Sequence, residues 1–423
     1  MRVSPTSPLI LETVNAPSPA VTQRLHLLEG LRGFMAWWVV LGHFLVESGF
    51  RGAWLPSLGR IMTNAGYAVD VFVILSGFVI THLLCTQPVS YREFITRRFF
   101  RLYPLFLAAL FVGLLTFDAV HGDYFRFAAL VESDAQTPEM WAGYEKNLVV
   151  HTLVSLTMLH GAIPTAWLPN AQAALVSPAW SVSLEWQFYL VIPGLLWAFT
   201  RYPVLTAAAV LIAMGVQRWF SIGDWGSFLP QHAEFFLLGI LSYHLFQFLK
   251  RAQQESRKSI PWVLLTVFLV LAMAEPLRDL VFRPYDVTVG GWLSLAIWLI
   301  ALALVLETHA PAPSALSRRL AAVFLNPVAQ WLGKVSYSTY LTHYFVIYLI
   351  MACLLRSGIT VNKYTSLAAM VIAGTPLLLA LSWLSHSYIE KPGIALGRLA
   401  CAHRWLGAKS PATLPNPGDS TAA

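Results

Sequence analysis

An arginine and a histidine stand eleven residues apart in one apolar stretch, Arg32 and His43 of LRGFMAWWVVLGHFLVESGF. On an ideal helix that is about three turns and about 16 Å, so both side chains face nearly the same way. Such a stripe is costly in an apolar helix unless it looks into a polar interior, where chemistry or transport takes place. An imidazole titrates near neutrality and takes protons from hydroxyls, which makes His43 a candidate general base. It needs an orienting partner. Asp70, in GYAVDVFVILSGF, would sit at similar depth on an antiparallel neighbour. Glu47, one turn beyond His43 on the same face, is the rival partner. Arg32 alone reads as a helix-end arginine whose head reaches the headgroups.

Arginines cluster in RRFFRLYP, where Arg98 and Arg101 are three apart and Arg97 and Arg101 four apart. They share a face at the start of an apolar helix, where the dipole and unpaired N–H groups already favour an anion and guanidinium adds bidentate contacts to phosphate. The plainer reading is a positive anchor at the membrane surface; three on one face make a phosphate site equally credible. In SPAWSVSLEWQFYL, Ser181, Glu185 and Tyr189 repeat every four residues and make a polar stripe. Near the outer end of its span, Glu185 should face the bundle interior, as a brace or as a participant in catalysis. In LGKVSYSTYLTHYFVIYL, Ser336, Tyr340 and His343 share a face, as a packing network or as the lining of a substrate path. His82, His121, His244 and His386 read as structural or surface residues. No GxSxG, GxGxxG, Walker A, HExxH or CxxC arrangement occurs, which weighs against ordinary serine-hydrolase, dinucleotide, ATP-driven and zinc chemistry.

The elements that must hold these groups are membrane helices. Apolar residues are 57% and charged residues 12% of 423, and the mean hydropathy is +0.61, far from a soluble domain. With about 17 to 25 residues needed per span, ten spans are expected near 31–49, 66–85, 102–120, 181–199, 203–220, 232–249, 261–275, 288–307, 333–355 and 365–386. The stretch Leu148 to Ile163, with His151 and His160, is short for a span and reads as re-entrant or interfacial. Lys and Arg sort to one side if both termini are cytoplasmic. The net charge of +7 then faces anionic lipid headgroups and calls for no nucleic acid. Residues 1–27 and 399–423 read as largely disordered cytoplasmic ends around a membrane domain over 28–398. No signal peptide is expected at the first, nor a further domain after the second. Cys85, Cys353 and Cys401 are odd in number and scattered, so neither a disulfide frame nor a metal site is expected.

Taken together, these segments resemble the acyltransferase-3 family of multispanning bacterial membrane proteins, which includes exopolysaccharide and O-antigen O-acetyltransferases and macrolide acyltransferases. The resemblance runs from about Leu28 to Arg398. It rests on Arg32 with His43, on DVFVILSGF with Ser76, on Arg98 and Arg101 before Pro104, on WSVSLEWQFYL from Trp180, on SYSTYLTH and on IEKP from Ile389. It implies an all-α bundle in the inner membrane that uses cytoplasmic acyl-CoA, commonly acetyl-CoA, as co-substrate and acylates a hydroxyl of a carbohydrate, glycolipid or small molecule. By the resemblance, Arg98 and Arg101, with Arg32, would hold the nucleotide phosphates. His43, oriented by Asp70, would be the base or the acyl carrier. Glu185 and His343 would lie toward the acceptor, with Ser76, Trp180, Tyr189 and Tyr340 along the substrate path. Trp186 stands where many relatives carry a second acid. The competing reading is a carrier that moves a glycan or acyl compound without making a bond, but no internal two-fold repeat supports it.

Overall fold

Local chemistry sets the helix starts. Ser90 accepts from the Glu93 amide at 3.3 Å and opens the helix Tyr91–Val131. Asn326 accepts from the Ala329 amide at 2.9 Å, with Pro327 in the first turn, and opens Pro327–Arg356. The computed structural model describes residues 19–50, 56–87, 89–133, 138–219, 227–254, 290–307 and 313–405. In chain order the helices are α1 (Pro19–Glu47), α2 (Pro56–Thr63), α3 (Gly66–Thr86), α4 (Tyr91–Val131), α5 (Pro138–Lys146) and α6 (Leu148–Leu156). There follow α7 (Ala179–Arg201), α8 (Pro203–Trp219), α9 (Ala233–Gln254), α10 (Gly290–Glu307), α11 (Ala315–Leu325) and α12 (Pro327–Arg356). A last run, α13, comprises Lys363–Ala369, Thr375–Ser385 and Lys391–Trp405, joined by π-helical turns at Met370–Gly374 and His386–Glu390. No strand occurs among the described residues.

The protein is a membrane protein, all-helical over the described residues. Among the described residues, α3, α4, α7, α12 and α13 (as far as Ala402) are long and apolar enough to cross a membrane. Helices α8 and α10 contain shorter apolar runs, Pro203–Val216 and Trp292–Glu307. The spans expected near 31–49 and 232–249 fall on α1 and α9, and 261–275 lies outside the described residues. At nine residues, about 13 Å, α6 is too short to cross a hydrocarbon core of about 30 Å. Two end boundaries move: α1 already begins at Pro19, and α13 runs to Trp405.

Two close crossings set the frame of the site. At the crossing of α1 and α12, a Cβ on Gly33 would meet the Gly333 amide at 2.7 Å, and one on Gly333 would meet the Glu29 carbonyl oxygen at 2.1 Å. Small residues let the two backbones touch, the usual basis of packing where lipid removes the hydrophobic drive between helices. The α1 stripe of Arg32 and His43 is thereby held against the α12 stripe of Ser336, Tyr340 and His343. The second crossing joins α4 to α13. Pro104 has no amide to give the Phe100 carbonyl, and Gly393 closes on that point: a Cβ there would lie 2.7 Å from the Phe100 oxygen and 2.8 Å from the Pro104 ring. Glu390, one turn earlier, is thereby brought beside α4. At the far end of the bundle, Trp141 and Tyr144 of α5 pack with Phe117 of α4 and Ala174 of the following loop.

Candidate active site

Nine of the residues singled out from the sequence line one open cavity of about 840 Å³: Arg32, Ser76, Arg98, Arg101, Ser181, Glu185, Tyr189, Ser336 and Tyr340. They come from five helices, α1, α3, α4, α7 and α12, and their polar atoms connect. Tyr189 donates to the Glu185 carboxylate in a short hydrogen bond, Ser76 Oγ donates to the same Oε1 at 3.5 Å, and Ser181 Oγ donates to the Tyr340 hydroxyl at 2.9 Å. The Arg98 guanidinium lies over the rings of Tyr189 and Phe94 at 5.5 and 5.6 Å. Its Nε is buried without a hydrogen-bond partner.

The three arginines differ in what holds them. Arg101 pairs with Glu390 at 3.2 Å. That carboxylate also meets His386 Nδ1 at 2.9 Å and accepts from Ser338 Oγ at 3.0 Å. Among the described residues, neither Arg32 nor Arg98 has a carboxylate within ion-pair distance. Unpaired guanidiniums in a low-dielectric wall are costly, and an anionic ligand offsets that cost. Arg97 is not part of this wall. It forms an i,i+4 ion pair with Glu93 on its own helix, so the arginine face expected from RRFFR is narrower by one.

His43 and His343 line neither this cavity nor a second one on the other side, yet they are tied to both. Their rings stack with centroids 5.2 Å apart. His343 is fully buried, its Nδ1 meets the Tyr340 carbonyl oxygen at 2.6 Å, and its Nε2 has no partner. His43 Nδ1 is 3.0 Å from the Tyr344 hydroxyl. Tyr344 donates to Glu47 Oε1 at 3.0 Å, and Tyr124 donates to Glu47 Oε2 at 3.3 Å. A phenol has one proton to give. With that proton on Glu47, the Tyr344 oxygen accepts from His43 Nδ1–H, which leaves Nε2 as the basic nitrogen.

The second cavity, about 740 Å³, includes Tyr344 in its wall, with Trp141, Tyr144 and Tyr348. Tyr340 on the first cavity and Tyr344 on the second are one helical turn apart, about 6 Å along α12.

The structure places three more of these residues. The partner that geometry gives His43 is Glu47, through Tyr344. Asp70 instead accepts from Ser294 Oγ of α10 at 3.2 Å, because α3 turns that residue toward α10 rather than α1. Glu185 sits in the same cavity wall as the arginines; α7 runs antiparallel to α4, with Tyr189 against Phe94 and Trp186 against Phe99. Trp180 packs at 5.9 Å on His232 and lines neither cavity.

Glu390, Tyr344 and Tyr124 were missed by reasoning from sequence. Glu390 is the acid of IEKP itself, and a lone acid at the end of an apolar run is a signal of a buried partner; the two tyrosines carry none, since tyrosines are common here. Among the described residues no cluster of His, Cys, Asp and Glu could hold a metal ion.

Comparison with known proteins bears on this geometry. A family described as an acyltransferase domain, acyltransferase-3, matches residues 25–386. The acyltransferase MdmB of Streptomyces mycarofaciens is 30% identical over 179 residues, 41% of this chain and 40% of that protein. A protein of Komagataeibacter xylinus provisionally named a membrane-bound transacylase, BcsY, is 25% identical over 87% of this chain and 82% of its own length. One from Staphylococcus aureus strain COL, provisionally named an O-acetyltransferase, is 24% identical over 86% of this chain and 56% of its own length. The match thus spans well under two thirds of the Streptomyces and Staphylococcus proteins. No solved structure matches with significance.

Proposed function

Because the chain belongs to the acyltransferase-3 family, we propose that it is a membrane O-acyltransferase that takes an acyl group, acetyl in the first instance, from acyl-CoA. The acceptor is a hydroxyl of a carbohydrate or glycolipid. The observation that carries the donor half is the pair of guanidiniums without carboxylates, Arg32 and Arg98, in the wall of one cavity. They and Arg101 suit the phosphates of coenzyme A, and the thioester arm would extend along Tyr340 toward His43. In the reaction the acceptor oxygen attacks the thioester carbonyl carbon; the C–O bond forms and the C–S bond breaks. His43 Nε2 takes the hydroxyl proton and returns it to the departing thiolate, so coenzyme A leaves as the free thiol. Glu47 and Tyr344 are positioning residues that hold the imidazole in the tautomer this requires. The family, the names of its relatives and the basic loops together favour the inner membrane of a bacterium, ten spans and both ends in the cytoplasm.

The test is acetyl-CoA binding by the full chain in nanodiscs. The double substitution Arg32→Gln/Arg98→Gln should weaken binding about a hundredfold or more, since each charged hydrogen-bonded contact contributes about 1.5–3 kcal/mol. Unchanged affinity would remove the phosphate assignment. No binding by the folded wild type would favour transport without bond formation.

A further inference from the structure

The second cavity is not explained by the donor reading. Its wall comes from the C-terminal half of α4, from α5, from the loop before α7 and from α12. Six aromatic residues line it, Phe117, Trp141, Tyr144, Tyr344, Phe345 and Tyr348, and none of its lining residues is charged. A coenzyme A phosphate would find no cation there. Hydroxyls are present as well, on the tyrosines and on Thr116 and Ser177. A wall of aromatic faces with a few polar tips suits a neutral ligand that is apolar on its faces and polar at its edge. A pyranose ring has that form: C–H bonds on both faces and hydroxyls around the rim. Tyr344 and Thr116 already donate their hydroxyl protons inside the protein, so a polar rim would chiefly meet Tyr144 and Ser177, which a purely aliphatic ligand would leave unused.

The cavity is also joined to the chemistry. Tyr344 belongs to its wall and lies 3.0 Å from His43 Nδ1. The preceding residue, His343, keeps a buried Nε2 without a partner. An acceptor held in this cavity is therefore one residue, Tyr344, away from the His43 imidazole, in a chamber whose wall lacks the arginines.

We infer that this aromatic cavity is the acceptor site and that its ligand is an uncharged sugar ring. The inference rests on the acyltransferase reading for its purpose, but not for its binding test. That test uses the full chain in nanodiscs with a diazirine-bearing methyl glucoside as photoprobe, and a diazirine-bearing decanol as the aliphatic alternative. Crosslinked peptides are mapped by mass spectrometry, and acetyl-CoA binding is measured on the same samples. The glucoside should crosslink to peptides holding Trp141, Tyr144 or Tyr348. Ala173→Trp, which puts a large ring into the cavity wall, should cut that capture about tenfold or more with acetyl-CoA affinity kept within about twofold.

Should Ala173→Trp lose acetyl-CoA binding through misfolding, the smaller Ala173→Cys replaces it: the unlabelled glucoside should protect that thiol, identified by its peptide, from a maleimide. Glucoside capture confined to the arginine cavity, no capture, no protection, or capture of decanol alone would each overturn the inference. Failure of the donor reading has a different signature. The wild type would then bind no acetyl-CoA while still crosslinking the glucoside around Trp141.

Discussion

The cavity at the arginine end of the bundle carries Arg32, Arg98, Arg101 and Glu185 in its wall; the cavity beyond Tyr344 carries six aromatic rings and no charge. The first is made of residues rare in a membrane helix, so each had to be given a reason at the level of sequence. The second is made of residues this chain uses everywhere: 13% of it is Phe, Trp or Tyr. Charge inside a membrane protein announces a site, whereas aromatic surface does so only once the fold has gathered it.

The largest effect should come where the two regions meet. His43→Ala should lower transfer about a thousandfold, within the range of a general base, while acetyl-CoA binding and glucoside crosslinking both persist. Activity retained in full, measured as the rate of free thiol release, would detach the imidazole from the chemistry and leave two unrelated cavities.

A smaller effect separates the two candidate partners of His43. Glu47→Gln should reduce kcat about ten- to a hundredfold and leave both KM values nearly unchanged, because it disturbs the tautomer and not the binding walls. Its pH profile should shift, which a purely structural brace would not produce. Asp70→Asn, whose carboxylate meets Ser294, should cost far less in kcat. The reverse order would return Asp70 to the orienting role.

The smallest effect is the sharpest control. Arg97 and Arg98 are neighbours in the chain, but Arg97 pairs with Glu93 at a half-exposed position while Arg98 lines the cavity. Arg97→Gln should leave acetyl-CoA affinity within about twofold and stability within about 1 kcal/mol. An effect comparable to that of Arg98→Gln would mean that the whole basic run acts as a diffuse surface charge and not as a built site.

How much the sequence disclosed follows the same division. Helix type and the one-face groupings Arg32 with His43, Arg98 with Arg101, Glu185 with Tyr189 and Ser336 with Tyr340 were legible, because spacing on one helix fixes direction. What crosses between helices was not. The choice of Glu47 over Asp70 depends on which neighbour α3 faces, and Ser294 lies 224 residues from Asp70 in the chain. Glu390 reaches Arg101 only because Pro104 frees a carbonyl that Gly393 can approach. Both are properties of a crossing, which no single helix encodes.

The separation of the two cavities by one turn of α12 has a kinetic corollary. A donor and an acceptor lodged in different chambers can be present together, and the acyl group then has only about 6 Å of helix to pass. Neither substrate has to vacate the protein before the other arrives. Initial-rate lines at varied donor and acceptor should therefore intersect, as for a ternary complex, and not run parallel as they would if the protein were loaded and unloaded in alternation.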